Sequence, residues 1–194
     1  RQLLQLAWRR RLLAGGVGLA VHLVEAALLL RLAAAPAHAD GRETVFLLHG
    51  MGRTRFCMAP LEIDLKRRGY RTVNWHYASD RDNLATLTDR LHTAVMQTAA
   101  NSTVTRIHFV GHSLGAIIIR SLLARQNVEK AVRPDRNAPS PAPDFPVGRV
   151  VMLAPPNQGS RMADRYRAIM APFLAPVSDL TTDSASTVRN LGPL

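Results

Sequence analysis

Cysteine is almost absent: Cys57 stands alone in 194 residues, which excludes an internal disulfide framework and a cysteine-built zinc site. No motif surrounds it, so Cys57 is expected to be a small buried hydrophobe rather than a nucleophile. Lysine is scarce as well, since only Lys66 and Lys130 accompany the arginines in a chain of formal net charge +11. Those arginines, among them Arg53, Arg55, Arg67, Arg90, Arg120, Arg149 and Arg165, are scattered rather than gathered into the compact basic face that phosphate tracking needs. No nucleic-acid partner is therefore expected. Loose association with an anionic membrane surface is consistent with the charge. No histidine follows residue 112 and no internal repeat is visible.

The first 39 residues differ in kind from the rest. Arg9-Arg10-Arg11 precedes a largely apolar stretch, Leu12–Leu30, and Ala37-His38-Ala39 fits the small-x-small rule for signal cleavage. Residues 1–39 are expected to be a signal peptide or membrane anchor, placing the protein in the periplasm or cell envelope. Glu25 lies within the apolar stretch, and an acid at mid-bilayer costs about 2.5–3.5 kcal/mol. An uncleaved anchor, an amphipathic helix packed on the domain, or a mistranslated upstream region thus stays open, with a cytoplasmic location if the leader is not a true signal.

From residue 43 onward, short apolar runs alternate with helical stripes, the pattern of βα units and a mostly parallel sheet with helices on both faces. Strands are predicted at Thr44–Leu48, Arg71–Tyr77, Arg106–Val110 and Arg149–Leu153. Helices are predicted at Pro60–Arg68, stopped by Gly69, at Asn83–Ala99 on the stripe Leu84, Leu87, Leu91, Val95, and at Leu114–Gln126. Residues 133–148 hold five prolines and read as a surface loop.

Gly111-His112-Ser113-Leu114-Gly115 is a G-x-S-x-G run lying between a predicted strand and a predicted helix. Such a turn forces the serine into strained backbone at the carboxyl end of the sheet, with Gly111 and Gly115 leaving room for neighbouring chain. Ser113 is the candidate nucleophile. The helix that follows aims its N-terminal N–H groups at the site, and Leu114 N–H is the first oxyanion donor. The second is expected from His49-Gly50-Met51-Gly52 after the first strand, with Met51 N–H as donor. Gly50 lets the loop turn, His49 braces it as a satisfied structural histidine, and His112 forms part of the elbow's wall.

With these two motifs and a third, Leu153-Ala154-Pro155-Pro156-Asn157-Gln158-Gly159-Ser160, the chain resembles a bacterial lipase or esterase of the α/β-hydrolase superfamily over roughly residues 44–190. The resemblance implies an α/β-hydrolase fold, of which this is the N-terminal portion, and hydrolysis of a small-molecule or lipid ester without metal or organic cofactor. It also implies that Pro156, Asn157 and Gln158 border the acyl pocket and that residues 161–180 form a cap, which an ordinary amphipathic core helix would match equally well. The family's order is nucleophile, acid, histidine. All seven histidines precede Ser113, and Asp164, Asp179 and Asp183 come before any further strand. The base and acid are therefore expected beyond residue 194, and the chain alone is expected to be inactive. A non-catalytic lipid- or protein-binding module, and an acyltransferase or amidase on the same fold, remain alternatives.

Overall fold

Apolar runs bounded by glycine and polar turns become four parallel strands, and the stripes between them become the helices that cover the sheet. The structure, a computed structural model, describes residues 40–132, 145–170 and 174–191. The leader (1–39) and most of the proline-rich stretch (133–144) lie outside the described residues. In chain order the elements are β1 (Glu43–Leu48), a 3-10 turn (Arg55–Met58) running into α1 (Ala59–Arg67), β2 (Arg71–Trp75), α2 (Leu84–Ala99) and β3 (Arg106–His112). Then come α3 (Leu114–Val132), β4 (Val147–Leu153), α4 (Arg161–Met170), a second 3-10 segment (Ala175–Leu180) and α5 (Thr187–Asn190). The sheet order is β2-β1-β3-β4, with every pair parallel.

A parallel strand covered on both faces is apolar on both, and β1 is buried from Thr44 to Leu48. Its alternate side chains divide between two cores. Phe46 and Leu48, with Ile107 and Phe109 of β3, pack with Leu84, Leu87, Leu91 and Val95 of α2 and with Ile117 and Ile118 of α3. Val45, Leu47 and Val110 point the other way, onto Met58, Leu61 and Leu65 beside α1. The expected α/β-hydrolase architecture, with helices on both faces, is what forms. Asn83 caps α2 as expected, its Oδ1 accepting from Thr86 N–H at 2.9 Å, while Asp82 instead pairs with Arg90 at 2.6 Å.

Boundaries shift where tertiary partners decide. The second strand ends at Trp75 rather than Tyr77, because Tyr77 turns into the core. The third runs two residues further, into the serine turn. β4 begins at Val147, inside the stretch read as loop, and α3 continues past Gln126. Among the described residues no helix is long and apolar enough to cross a membrane.

One irregularity in the sheet depends on a histidine. The β3–β4 register slips between Ile107 and Phe109, and the ring of His108 fills the gap. Arg149 N–H donates to His108 Nδ1 at 2.8 Å, so Nε2 carries the proton and donates to Glu43 Oε2 at 3.1 Å. Gly148 is required alongside, since a Cβ there would lie 2.5 Å from Nδ1. Burial pushes the His108 pKa below its ordinary 6.5, against the pull of Glu43, and burial lowers His49 in the same way. A histidine depressed in the folded state contributes stability above its unfolded pKa and loses it as pH falls through the folded value. The denaturation midpoint is therefore expected to fall between about pH 7 and about pH 5, above the range where carboxylates such as Glu62, held low by Lys66 and Asn74, take up protons. His108→Gln should flatten part of that fall. A midpoint that stays level across the window would refute the assignment.

Candidate active site

The sheet is built outward in both directions from β1, to β2 on one side and to β3 on the other. The chain thus switches sides between β1 and β3, and in open parallel sheets the crevice beyond the carboxyl ends at such a point is where ligands bind. Leu48 stands in register with Gly111, so the loop after β1, starting at His49, lies beside the turn after β3, containing Ser113. The sequence-predicted loop and elbow are brought together by this register.

Ser113 has φ 52°, a left-handed conformation that costs a non-glycine residue about 1–3 kcal/mol and persists only where surroundings enforce it. Here they do. Ser113 N–H donates to Leu153 O of β4 at 2.9 Å, and its carbonyl accepts from Ala116 N–H at 3.0 Å to open α3. The glycines on either side permit the crowding. A Cβ on Gly111 would sit 2.5 Å from Ala116 N, and one on Gly115 2.5 Å from Leu48 O. Leu114, fully buried, occupies the first helical position, where an N–H has no intrahelical acceptor.

The loop after β1 closes as a turn in which Arg53 N–H donates to Gly50 O at 3.2 Å and Gly52 takes φ 64°, the positive value a type II turn needs at its third residue. Met51, half-buried, is the second residue of that turn and packs on the main core. Gly50 lies against the elbow: a Cβ on it would be 2.9 Å from His112 Nδ1 and 3.3 Å from Ser113 Cβ. This places His112 at the wall of the turn.

Two residues that hold this loop were missed in the sequence. Ser79, buried, accepts from Gly52 N–H at 3.1 Å. The Tyr77 hydroxyl donates to the His49 carbonyl, its ring stacks on the His49 imidazole at 4.2 Å between centroids, and burial pushes its pKa up. His49 is fully buried, with Nδ1 2.9 Å from Gly50 O. Its Nε2 has no hydrogen-bond partner among the described residues, so the expectation of a fully satisfied histidine holds for one nitrogen only. Removing the hydroxyl with Tyr77→Phe leaves the His49 carbonyl short of a donor and should cost about 1–3 kcal/mol. Urea denaturation checks it, and an unchanged midpoint would mean the loop is held without Tyr77.

The three downstream aspartates serve local structure. Asp164 accepts from Thr182 N–H at 2.8 Å and Thr182 Oγ1 at 2.6 Å, which holds its pKa low. Asp179 accepts from Leu84 N–H at 2.9 Å, at the start of α2, and from Thr187 Oγ1 at 2.7 Å. Asp183 accepts from Ala185 N–H at 2.9 Å. The segment after β4 is tied to α3 by Arg120, whose guanidinium donates to Asn157 O at 3.4 Å, to Val188 O at 3.3 Å and to Leu191 O at 2.7 Å. Pro156 and Asn157 are half-buried there and Gln158 is exposed. Within 161–180, Ala163, Val177 and Leu180 join the main core while Met162 is 72% exposed. Cys57 is exposed, contrary to the expectation of burial: it lies in the short 3-10 turn, from which only Met58 is buried.

A strained serine between a parallel strand and a helix, at the switch point of the sheet, is matched by the sequence. The family model described as "Alpha/beta hydrolase family" matches residues 45–192. The chain belongs to the alpha/beta hydrolase family. Solved structures agree on the fold. A lipase from Bacillus licheniformis in its mature form is similar at 17% identity and TM-score 0.56, covering 75% of this chain and 58% of its own. The same lipase in its propeptide form gives the same identity and TM-score, with 31% of that chain covered. A phospholipase from Legionella pneumophila, solved in complex with thio-NAD, is similar at 18% identity and TM-score 0.53, over 77% of this chain and 33% of its own. This member of the family therefore spans little more than half the length of the mature lipase it matches. No curated protein matches the chain by sequence.

Proposed function

We propose that Ser113 is the nucleophile of a serine hydrolase acting on carboxylic esters of apolar acyl groups. The carrying observation is the left-handed backbone of Ser113, φ 52°, at the carboxyl end of the sheet beside the Gly50–Arg53 turn. In this reading Oγ of Ser113 attacks the ester carbonyl carbon and its proton passes to a general base. The oxyanion is held by the N–H groups of Leu114, at the head of α3, and Met51, in the turn. Collapse expels the alcohol with that proton and leaves an acyl-serine, which water then hydrolyses to regenerate Ser113. The base and acid are assigned to residues beyond 194, in the family's order of nucleophile, acid, histidine. Gly50, Gly111 and Gly115 give the loops their close approach, and His49 and His112 line them.

The small-molecule or lipid ester enters, in this proposal, past Pro156, Asn157 and Gln158, with residues 161–180 as its cap. The leader, residues 1–39, places the protein in the periplasm or cell envelope. The test is covalent: a fluorophosphonate probe added to the full-length protein should label the tryptic peptide that contains Ser113. A folded full-length protein that does not react would turn the reading toward a binding module on a hydrolase fold.

A further inference from the structure

Between the turn that holds Met51 and strand β2, one side of the chain is left apolar and uncovered among the described residues. Helix α1 buries no side chain completely: Leu61 and Leu65 lean on Val45, Leu47, Met58 and Val110, and the opposite side faces outward. There Phe56 is 73% exposed and Ile63 51% exposed, with Pro60 and Arg67 exposed as well. Pro60 and Ile63 lie one turn apart on α1, with Arg67 a further turn on, and Phe56 precedes them in the 3-10 turn that runs into the helix. Single exposed apolar side chains are ordinary, whereas a contiguous set marks a contact surface.

The charges around the stripe indicate what it contacts. From residue 52 to 68 there are five cations, Arg53, Arg55, Lys66, Arg67 and Arg68, and two acids, Glu62 and Asp64. Both acids are already paired along the helix, Glu62 with Lys66 at 2.7 Å and Asp64 with Arg68 at 2.7 Å. Arg53, Arg55 and Arg67 have no ion-pair partner among the described residues and flank the apolar stripe. The Arg55 guanidinium stands 5.7 Å from the centre of the Phe56 ring, so cation and aromatic form one unit. Exposed apolar side chains edged by arginine suit an interface whose surface is anionic and whose interior is apolar, with the helix lying in its plane. Nucleic acid would use the arginines and leave Phe56 and Ile63 in water.

We propose that Phe56, Pro60 and Ile63, ringed by Arg53, Arg55 and Arg67, dock on an anionic lipid bilayer. The stripe begins three residues after the Gly50–Arg53 turn, so the bilayer meets the molecule at the rim of the Ser113 crevice. Docking requires no chemistry at Ser113.

The only cysteine, Cys57, is exposed beside Phe56 and allows a reporter to be placed in the full chain without introducing a thiol. A nitrobenzoxadiazole label on Cys57 should brighten and shift to the blue on vesicles of mixed phosphatidylcholine and phosphatidylglycerol. It should stay unchanged on pure phosphatidylcholine, and the shift should reverse at about 1 M salt, where the Debye length is about 3 Å. Arg55→Gln with Arg67→Gln should weaken partition about thirtyfold, at the worth of two cations near a charged surface. Arg53 is left intact because its backbone closes the turn. Phe56→Ser should abolish the blue shift. A label that stays unchanged while the protein sediments with the vesicles overturns the proposal and moves membrane contact elsewhere, residues 1–39 included. A shift that grows with protein concentration without vesicles overturns it in favour of a second copy. Ser113→Ala should keep the label shift, and the arginine variant should keep hydrolysis of a soluble short-chain ester, so failure of docking and failure of the hydrolase reading are told apart.

Discussion

Ser113→Ala in the full-length protein is expected to lower kcat for a soluble short-chain ester by about a millionfold, the scale seen when the nucleophile of a serine hydrolase is removed. In the alanine variant no covalent acyl-enzyme can form, and two held N–H groups acting on water recover only a small part of the rate. Alanine at 113 keeps the backbone bonds to Leu153 O and from Ala116 N–H, and it meets the same left-handed strain as serine. Stability should therefore change little, and the loss would be chemical. The measurement pairs initial rates with denaturation midpoints of both proteins. Retained turnover at equal stability would exclude Ser113 as nucleophile and with it the proposed mechanism, whichever residues supply the base.

The part of the site made by short-range chain geometry was legible in the sequence. Strand, G-x-S-x-G and helix are consecutive, and a serine between two close-packed glycines has few other structural explanations. The His-Gly loop was legible for the same reason, because Gly50 and Gly52 announce a turn at the end of an apolar run. Tyr77 and Ser79 were not. Their partners, the His49 carbonyl and Gly52 N–H, lie about 27 residues away in sequence, and no periodicity reports a contact made by a loop residue across a sheet. The slip at His108 escaped for a related reason: hydrophobic alternation gives the face of a side chain but not the register against the next strand. Arg120 looked like one of many scattered cations, yet its helix position sets it under three carbonyls of the C-terminal segment. The aspartates show the reverse. Their place in the chain order cast doubt on them as triad acids, and the structure gives each a partner in a turn or at the start of a helix.

The second large effect is expected from a methyl group at the start of α3. In Gly115→Ala the new Cβ would lie 2.5 Å from Leu48 O and 2.7 Å from His49 O, both backbone atoms of β1 and the loop beyond it. Neither can rotate away as a side-chain tip could, so α3 must move off the sheet or β1 must bend. Overpacking against backbone puts the cost at the top of the usual range, about 3 kcal/mol, and the thermal midpoint should fall by about 6–12 °C in a domain of this size. Gly41→Ala is the matching control. It carries a positive φ of 76° but has nothing within 4 Å of its Cβ, so it reports backbone strain alone, about 1 kcal/mol. The difference between the two variants isolates the close approach of α3 to β1, on which the proposed oxyanion site of Leu114 N–H and Met51 N–H depends. Gly115→Ala should therefore lower kcat by more than its loss of stability explains when assayed well below its melting temperature. Equal behaviour of the two variants would show that the helix does not need glycine to reach the sheet, and the oxyanion geometry proposed for Ser113 would have to be drawn from other donors.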